Sequence, residues 1–156
     1  MMQRIYLLLA AVLMGVVSQC TLATYMARVD AVVYELGCWN LTDAAGQAVS
    51  GAPWALMVLA VVVVLLSLFT LFLVFYQNYA LQKRMTIFSM LVTLGFLVTF
   101  AGFYFYYGSQ LEAVSSHLTI WSVVPLVVMI LQFMAFLSIR KKEADVLAEA
   151  ANFRLR

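Results

Sequence analysis

Two cysteines, one histidine and a nearby carboxylate are the residues of this chain whose types could do chemistry. A four-span thiol–disulfide relay that hands electrons to a quinone needs at least one external dithiol and usually two. Here Cys20 falls inside a long apolar run and Cys38 stands alone outside it, so that mechanism lacks its parts. A Cys20–Cys38 disulfide would require Cys20 near the outer surface; the default for such a residue is a buried free thiol. His117 is the single histidine, with Glu112, Ser115 and Ser116 nearby. A zinc site needs three or four ligands, and a haem held between helices needs an axial ligand at membrane depth. One loop histidine beside polar residues supplies neither, and a solvated loop side chain is the plainer reading. No catalytic residue, cofactor or metal is therefore expected, and the chain reads as not an enzyme.

Two further motifs fail on inspection. Val17-Ser18-Gln19-Cys20, after Arg4 and an apolar stretch, has the outline of a lipoprotein cleavage site, but Gln19 stands where that processing pocket accepts only a small residue. Asn40-Leu41-Thr42 matches a glycosylation acceptor, a tripeptide common by chance.

The elements that position these residues are set by four long apolar runs, about 5–27, 54–76, 85–107 and 120–139, none containing Asp, Glu, Lys, Arg or His. Runs of about 20 residues cross a hydrocarbon core of about 30 Å as helices. The composition agrees: 66% hydrophobic and 10% charged, against roughly 45–50% and about 25% in soluble domains. Eight of the nine basic residues, Arg4, Lys83, Arg84, Arg140, Lys141, Lys142, Arg154 and Arg156, fall in alternate gaps, and only Arg28 falls in the other set. Positive loops tend to stay on the side of synthesis, which predicts both termini in the cytoplasm. The basic excess is thus a membrane-flanking pattern, and no nucleic-acid partner is expected. Tyr25, Trp54, Tyr106, Tyr107 and Trp121 would mark the outer boundary, and Tyr6, Tyr76 and Tyr79 the inner one.

Short links force neighbouring helices antiparallel, so the expected fold class is an all-α membrane protein: an up-down-up-down four-helix transmembrane bundle forming one integral membrane domain. After Ile139 no Gly or Pro stops the last helix, which is expected to continue into the cytoplasm as a tail over 140–156. The external loop 28–53 mixes charge with Trp39 and Leu41 and could hold a small hairpin turning near Gly37. Ser50 to Pro53 reads as a helix entry.

Within the runs, Ala11/Gly15, Ser89/Thr93 and Gly95/Thr99 have the small-xxx-small spacing that lets helices approach closely. Gln19 and Gln132 are the most polar side chains there, and each must find a partner inside the bundle or on a neighbouring subunit. A substrate path usually shows a charged residue at depth or a helix broken mid-span, and only Pro125 near one end comes close.

Met1-Met2-Gln3-Arg4-Ile5, then Leu7-Leu8-Leu9-Ala10-Ala11, with Arg140-Lys141-Lys142-Glu143-Ala144 after the fourth run and a closing Arg154-Leu155-Arg156, resembles a family of small four-span bacterial inner-membrane proteins. That family is known only as a domain of unknown function (4293, Bacteroidetes type). The resemblance implies a multi-pass protein of a Gram-negative inner membrane, and it brings no activity, substrate or catalytic residue.

The expectation for function is a non-enzymatic accessory or structural subunit of a membrane complex. Its partners would be the lipid bilayer and another membrane protein or a second copy. Contacts would run through Trp39 outside and Arg140, Lys141, Lys142, Glu143, Phe153, Arg154 and Arg156 on the tail. The alternatives are a carrier or channel for a small apolar molecule or lipid, with Gln19 and Gln132 lining its path, and, more weakly, an outer-face lipid-modifying enzyme using His117 and Glu112.

Overall fold

The first apolar run is two elements, not one. A computed structural model of the chain describes residues 2–28, 32–43, 45–49, 53–74 and 78–154. Helix α1, Met2–Val17, has 16 residues, about 24 Å at the α-helical rise and short of a core about 30 Å thick. It ends in tight turns, where the Gln19 and Cys20 N–H groups donate to the Val16 and Val17 carbonyls. The chain then runs on as strand β1, Thr21–Ala27. Thr21, Thr24 and Tyr25 suit a pleated surface better than a helix.

Strands β2 (Val33–Gly37), β3 (Leu41–Asp43) and β4 (Ala48–Val49) follow, and then helices α2 (Trp54–Leu73) and α3 (Tyr79–Gln110). Strand β5 (Ala113–Leu118) and a short 3-10 turn (Ile120–Val123) lead into helix α4 (Val124–Arg154). The strands form one antiparallel sheet in the order β4-β3-β2-β1-β5. This overturns the all-α expectation, and with it the reading of 5–27 as a helical span. Among the described residues three helices are long and apolar enough to cross a membrane: Trp54–Leu73, Tyr79–Gln110 and Ile120–Ala151.

The hairpin expected within 28–53 exists, pairing Tyr34 with Asp43, Glu35 with Thr42 and Leu36 with Leu41. It turns through Cys38, Trp39 and Asn40, closed by the Gly37 N–H on the Asn40 carbonyl at 3.0 Å. Between β3 and β4 the turn needs a left-handed residue, and Gly46 supplies it at φ 75°. From α3 into β5 the same backbone region is taken by Glu112, at φ 43°. Ser50 and Tyr76, which carried a helix-entry and a boundary expectation, lie outside the described residues.

Helices α1 and α3 each pack against α2 and α4, so the four form a ring of neighbours. The sheet caps one end of it. Leu22, Tyr25, Leu36 and Leu41 from the sheet share one buried core with Met14, Leu56, Phe96, Phe100 and Val128 from the helices. Each such side chain contributes on the order of 1.5–3 kcal/mol where burial takes it out of water, and by close packing where the alternative neighbour is lipid. Tyr25 is a core residue, not a boundary marker: it is buried, its ring lies 5.7 Å from that of Tyr104, and its hydroxyl donates to the Tyr104 carbonyl at 3.2 Å.

Candidate functional site

Directly opposed residues of antiparallel strands point to the same face. Ala23, Tyr25 and Leu36 therefore face the helices, while Thr42, Glu35, Thr24 and His117 form a row across the outer face. Within that row the Thr42 hydroxyl donates to the Glu35 carbonyl at 3.4 Å and Thr21 donates to the Glu35 carboxylate at 3.2 Å. At one end of the sheet, where β1 and β2 begin and end, a cavity of about 160 Å³ is lined by Gln19, Cys20, Glu35, Cys38, Trp39 and Asn40 among others.

The two cysteines meet here. Thr21 pairs with Gly37, so Cys20 and Cys38 are the next residues outward, and the Cys20 N–H and the Cys38 thiol both donate to the Val17 carbonyl, at 3.1 and 3.7 Å. Both are free thiols. Burial, and secondarily Cys20, pushes the Cys38 thiol up to about 12, so it is protonated and a poor nucleophile at neutral pH. His117 lies on the outer sheet face opposite Thr24 and does not line this cavity. A carboxylate, two amides, an indole, hydroxyls and two thiols line this shallow hollow, a set that can recognise a polar surface.

Trp39 stands at the hairpin tip, 46% exposed. Gln19, read from sequence as an intramembrane group, is an exposed residue of the turn after α1. Gln132 is fully buried on α4 and is joined to two predicted packing residues of α3. Its Nε2 donates to Ser89 Oγ at 2.9 Å, and its Oε1 accepts from Thr93 Oγ1 at 3.0 Å. Gln19 and Gln132 thus occupy different settings, one exposed after α1 and the other buried between α4 and α3. Ala11 is buried on α1. Gly15 and Gly95 are not at close helix approaches, since a Cβ built on either meets nothing within 4 Å. Thr99 donates back to the Gly95 carbonyl at 2.8 Å.

On the tail, Glu143 forms an ion pair with Lys83 of α3 at 2.6 Å. Arg140 and Lys141 are exposed and Lys142 is half-buried. Beyond Glu143 the helix leaves its neighbours: Ala144 to Ala151 are exposed, with Val146 at 47% and Leu147 at 64%. Phe153 and Arg154 lie on the last turn of α4, and Arg156 lies outside the described residues.

Sequence reasoning missed Glu35, whose outward place depends on strand register, and the buried amides of Gln3 and Gln82. Gln82 donates to the Leu73 carbonyl at 3.0 Å. Among the described residues no donor reaches Oε1 of Gln3 or of Gln82. A glutamine in the first turn of an apolar helix was the available signal for both.

The family model described as Domain of unknown function (DUF4293) matches residues 2–151. No curated protein and no solved structure matches the chain.

Proposed function

The chain belongs to the DUF4293 family, and from that premise we propose that it is a non-enzymatic accessory subunit of a membrane complex, with its tail helix as the contact for another membrane protein. In this reading it sits in a bacterial inner membrane with the sheet outside and both termini in the cytoplasm, an orientation that requires α1, short as it is, to cross beside α2 and α4, against which it packs. The charge sorting around the apolar runs supports that orientation. The observation that carries the functional reading is the stretch Ala144–Ala151, exposed on every side and bearing Val146 and Leu147. As the free end of the long helix α4 it buries no apolar side chain, whereas a surface helix gains most of its stability from packing an apolar stripe. The exposed Trp39 and the polar outer row of the sheet supply a second contact on the other side.

Site-specific photo-crosslinking in cells tests it, with the photoreactive residue at Leu147 and, as a lipid-facing control, at Leu65. A single heteromeric adduct from Leu147 that is absent from Leu65 is expected. Adducts only with a second copy, or none from Leu147, would overturn it. In a version lacking both native cysteines, a cysteine at Leu147 should be labelled by an impermeant maleimide only in opened cells, and one at Trp39 in intact cells. The reverse pattern would overturn the orientation.

A further inference from the structure

At the end of the ring opposite the sheet, α3 and α4 form two adjoining open hollows. One, of about 380 Å³, is lined by Lys83, Arg84 and Arg140 together with Ile87 and Phe136. The other, of about 410 Å³, shares Ile87 and Phe136 and continues between Leu91 and Leu94 of α3 and Met129 and Phe133 of α4. The two are therefore one groove, basic at its mouth and apolar along its length.

We propose that this groove binds an anionic phospholipid, with the phosphate between Arg84 and Arg140 and one acyl chain along the apolar slot. Charge selects that occupant. Glu143 satisfies Lys83 at 2.6 Å, so of the three cations at the mouth two remain for an anion, and guanidinium forks suit phosphate oxygens. Depth selects it as well. From Arg84 to Leu94 the helix rises roughly 15 Å, one leaflet's share of a core about 30 Å thick. A soluble anion would leave the slot empty, and a zwitterionic lipid would bring its own ammonium to the same mouth, cancelling the net charge that draws its phosphate to the guanidinium groups. Basic pockets between membrane helices recognise headgroups on this principle. The site is independent of the tail's partner, so loss of the Leu147 adduct would leave it standing.

Native mass spectrometry of the full chain in mild detergent, with phosphatidylglycerol or phosphatidylcholine added, tests the proposal. Phosphatidylglycerol should remain bound at collision energies that strip phosphatidylcholine. Replacing both cations (Arg84→Gln with Arg140→Gln) should weaken phosphatidylglycerol binding roughly thirtyfold. Leu91→Trp keeps the charges and fills the slot, and it should weaken binding by at least several-fold on the order of a lost acyl contact. Lys141→Gln, outside the groove, should change nothing. Equal retention of the two lipids, undiminished binding in the double variant or in Leu91→Trp, an equal loss in Lys141→Gln, or displacement by millimolar inorganic phosphate would each overturn it.

Discussion

Replacing Gln132 should damage the protein less than removing the two residues it holds. Gln132, Ser89 and Thr93 are all buried, and the amide makes one bond to each hydroxyl, at 2.9 and 3.0 Å. Gln132→Leu removes both bonds, and hydrogen bonds between membrane helices average about 0.6 kcal/mol each, for a loss of about 1 kcal/mol. The partners left behind are not stranded. Thr93 already donates to the Ser89 carbonyl at 2.9 Å, and the Ser89 hydroxyl can turn to the preceding helical turn as Thr93 does. Ser89→Ala with Thr93→Val is different, because it strands both ends of a primary amide where water does not reach. Unsatisfied buried groups cost about 1–3 kcal/mol each, so the pair should lose roughly 2–5 kcal/mol. Adding Gln132→Leu to that pair should recover most of the loss. Thermal unfolding in detergent, followed by circular dichroism, reads this out. About 1 kcal/mol moves the midpoint roughly 2–4 °C in a chain of this size, so Gln132→Leu should lower it by that amount and the Ser89/Thr93 pair by roughly 4–20 °C. A larger loss from Gln132→Leu than from the pair, or a triple variant as unstable as the double, would refute the reasoning.

Four other outcomes are expected. Iodoacetamide at pH 8 should alkylate Cys20 and spare Cys38 until the protein is denatured, because burial holds the Cys38 thiol near about 12; equal labelling of the native protein would contradict it. The same shift fixes a sign. The folded chain holds that proton more tightly than the unfolded one, so its contribution to stability is complete below the unfolded thiol range and is lost as pH rises through about 12. Alkaline titration of the midpoint should show that decline, and Cys38→Ser should reduce it. Tyr25→Ala should cost about 3–5 kcal/mol, as for other large core truncations, and expose β1 and β2 to protease, whereas Tyr25→Phe loses only the bond to Tyr104, about 1 kcal/mol. Breaking the half-exposed Lys83–Glu143 pair by Glu143→Ala should lower the midpoint by no more than about 1 kcal/mol in equivalent stability, and exchanging the two residues should restore it.

Hydropathy located the parts of α2, α3 and α4 that carry the long apolar runs, because a lipid-facing helix must be apolar nearly all round. The same measure misread Thr21–Ala27. A strand lying on a packed ring of helices is as apolar as a helix turn, and only Thr21, Thr24 and Tyr25 signalled the change. Ala113–Leu118 gave less, since its serines and histidine look like any polar link until β1 is beside them. The polar side chains in the runs were legible as groups in need of partners, but not which partners. Gln132 lies far along the chain from Ser89 and Thr93, and Arg140 far from Arg84; only the register of α3 against α4 makes them neighbours. Gln19 was misplaced for the opposite reason, because the helix thought to contain it stops at Val17.

The pairing of β5 with β1 has a temporal side. β1 is the first strand to emerge from the ribosome and β5 the last, with two complete helices made between them. Until β5 arrives, one rim of β1 has amide and carbonyl groups with no strand to meet them, an opening that another extended segment could occupy. A nascent chain halted before residue 113 would keep that rim open, so the interval between the two strands is when this protein most needs shielding from its neighbours.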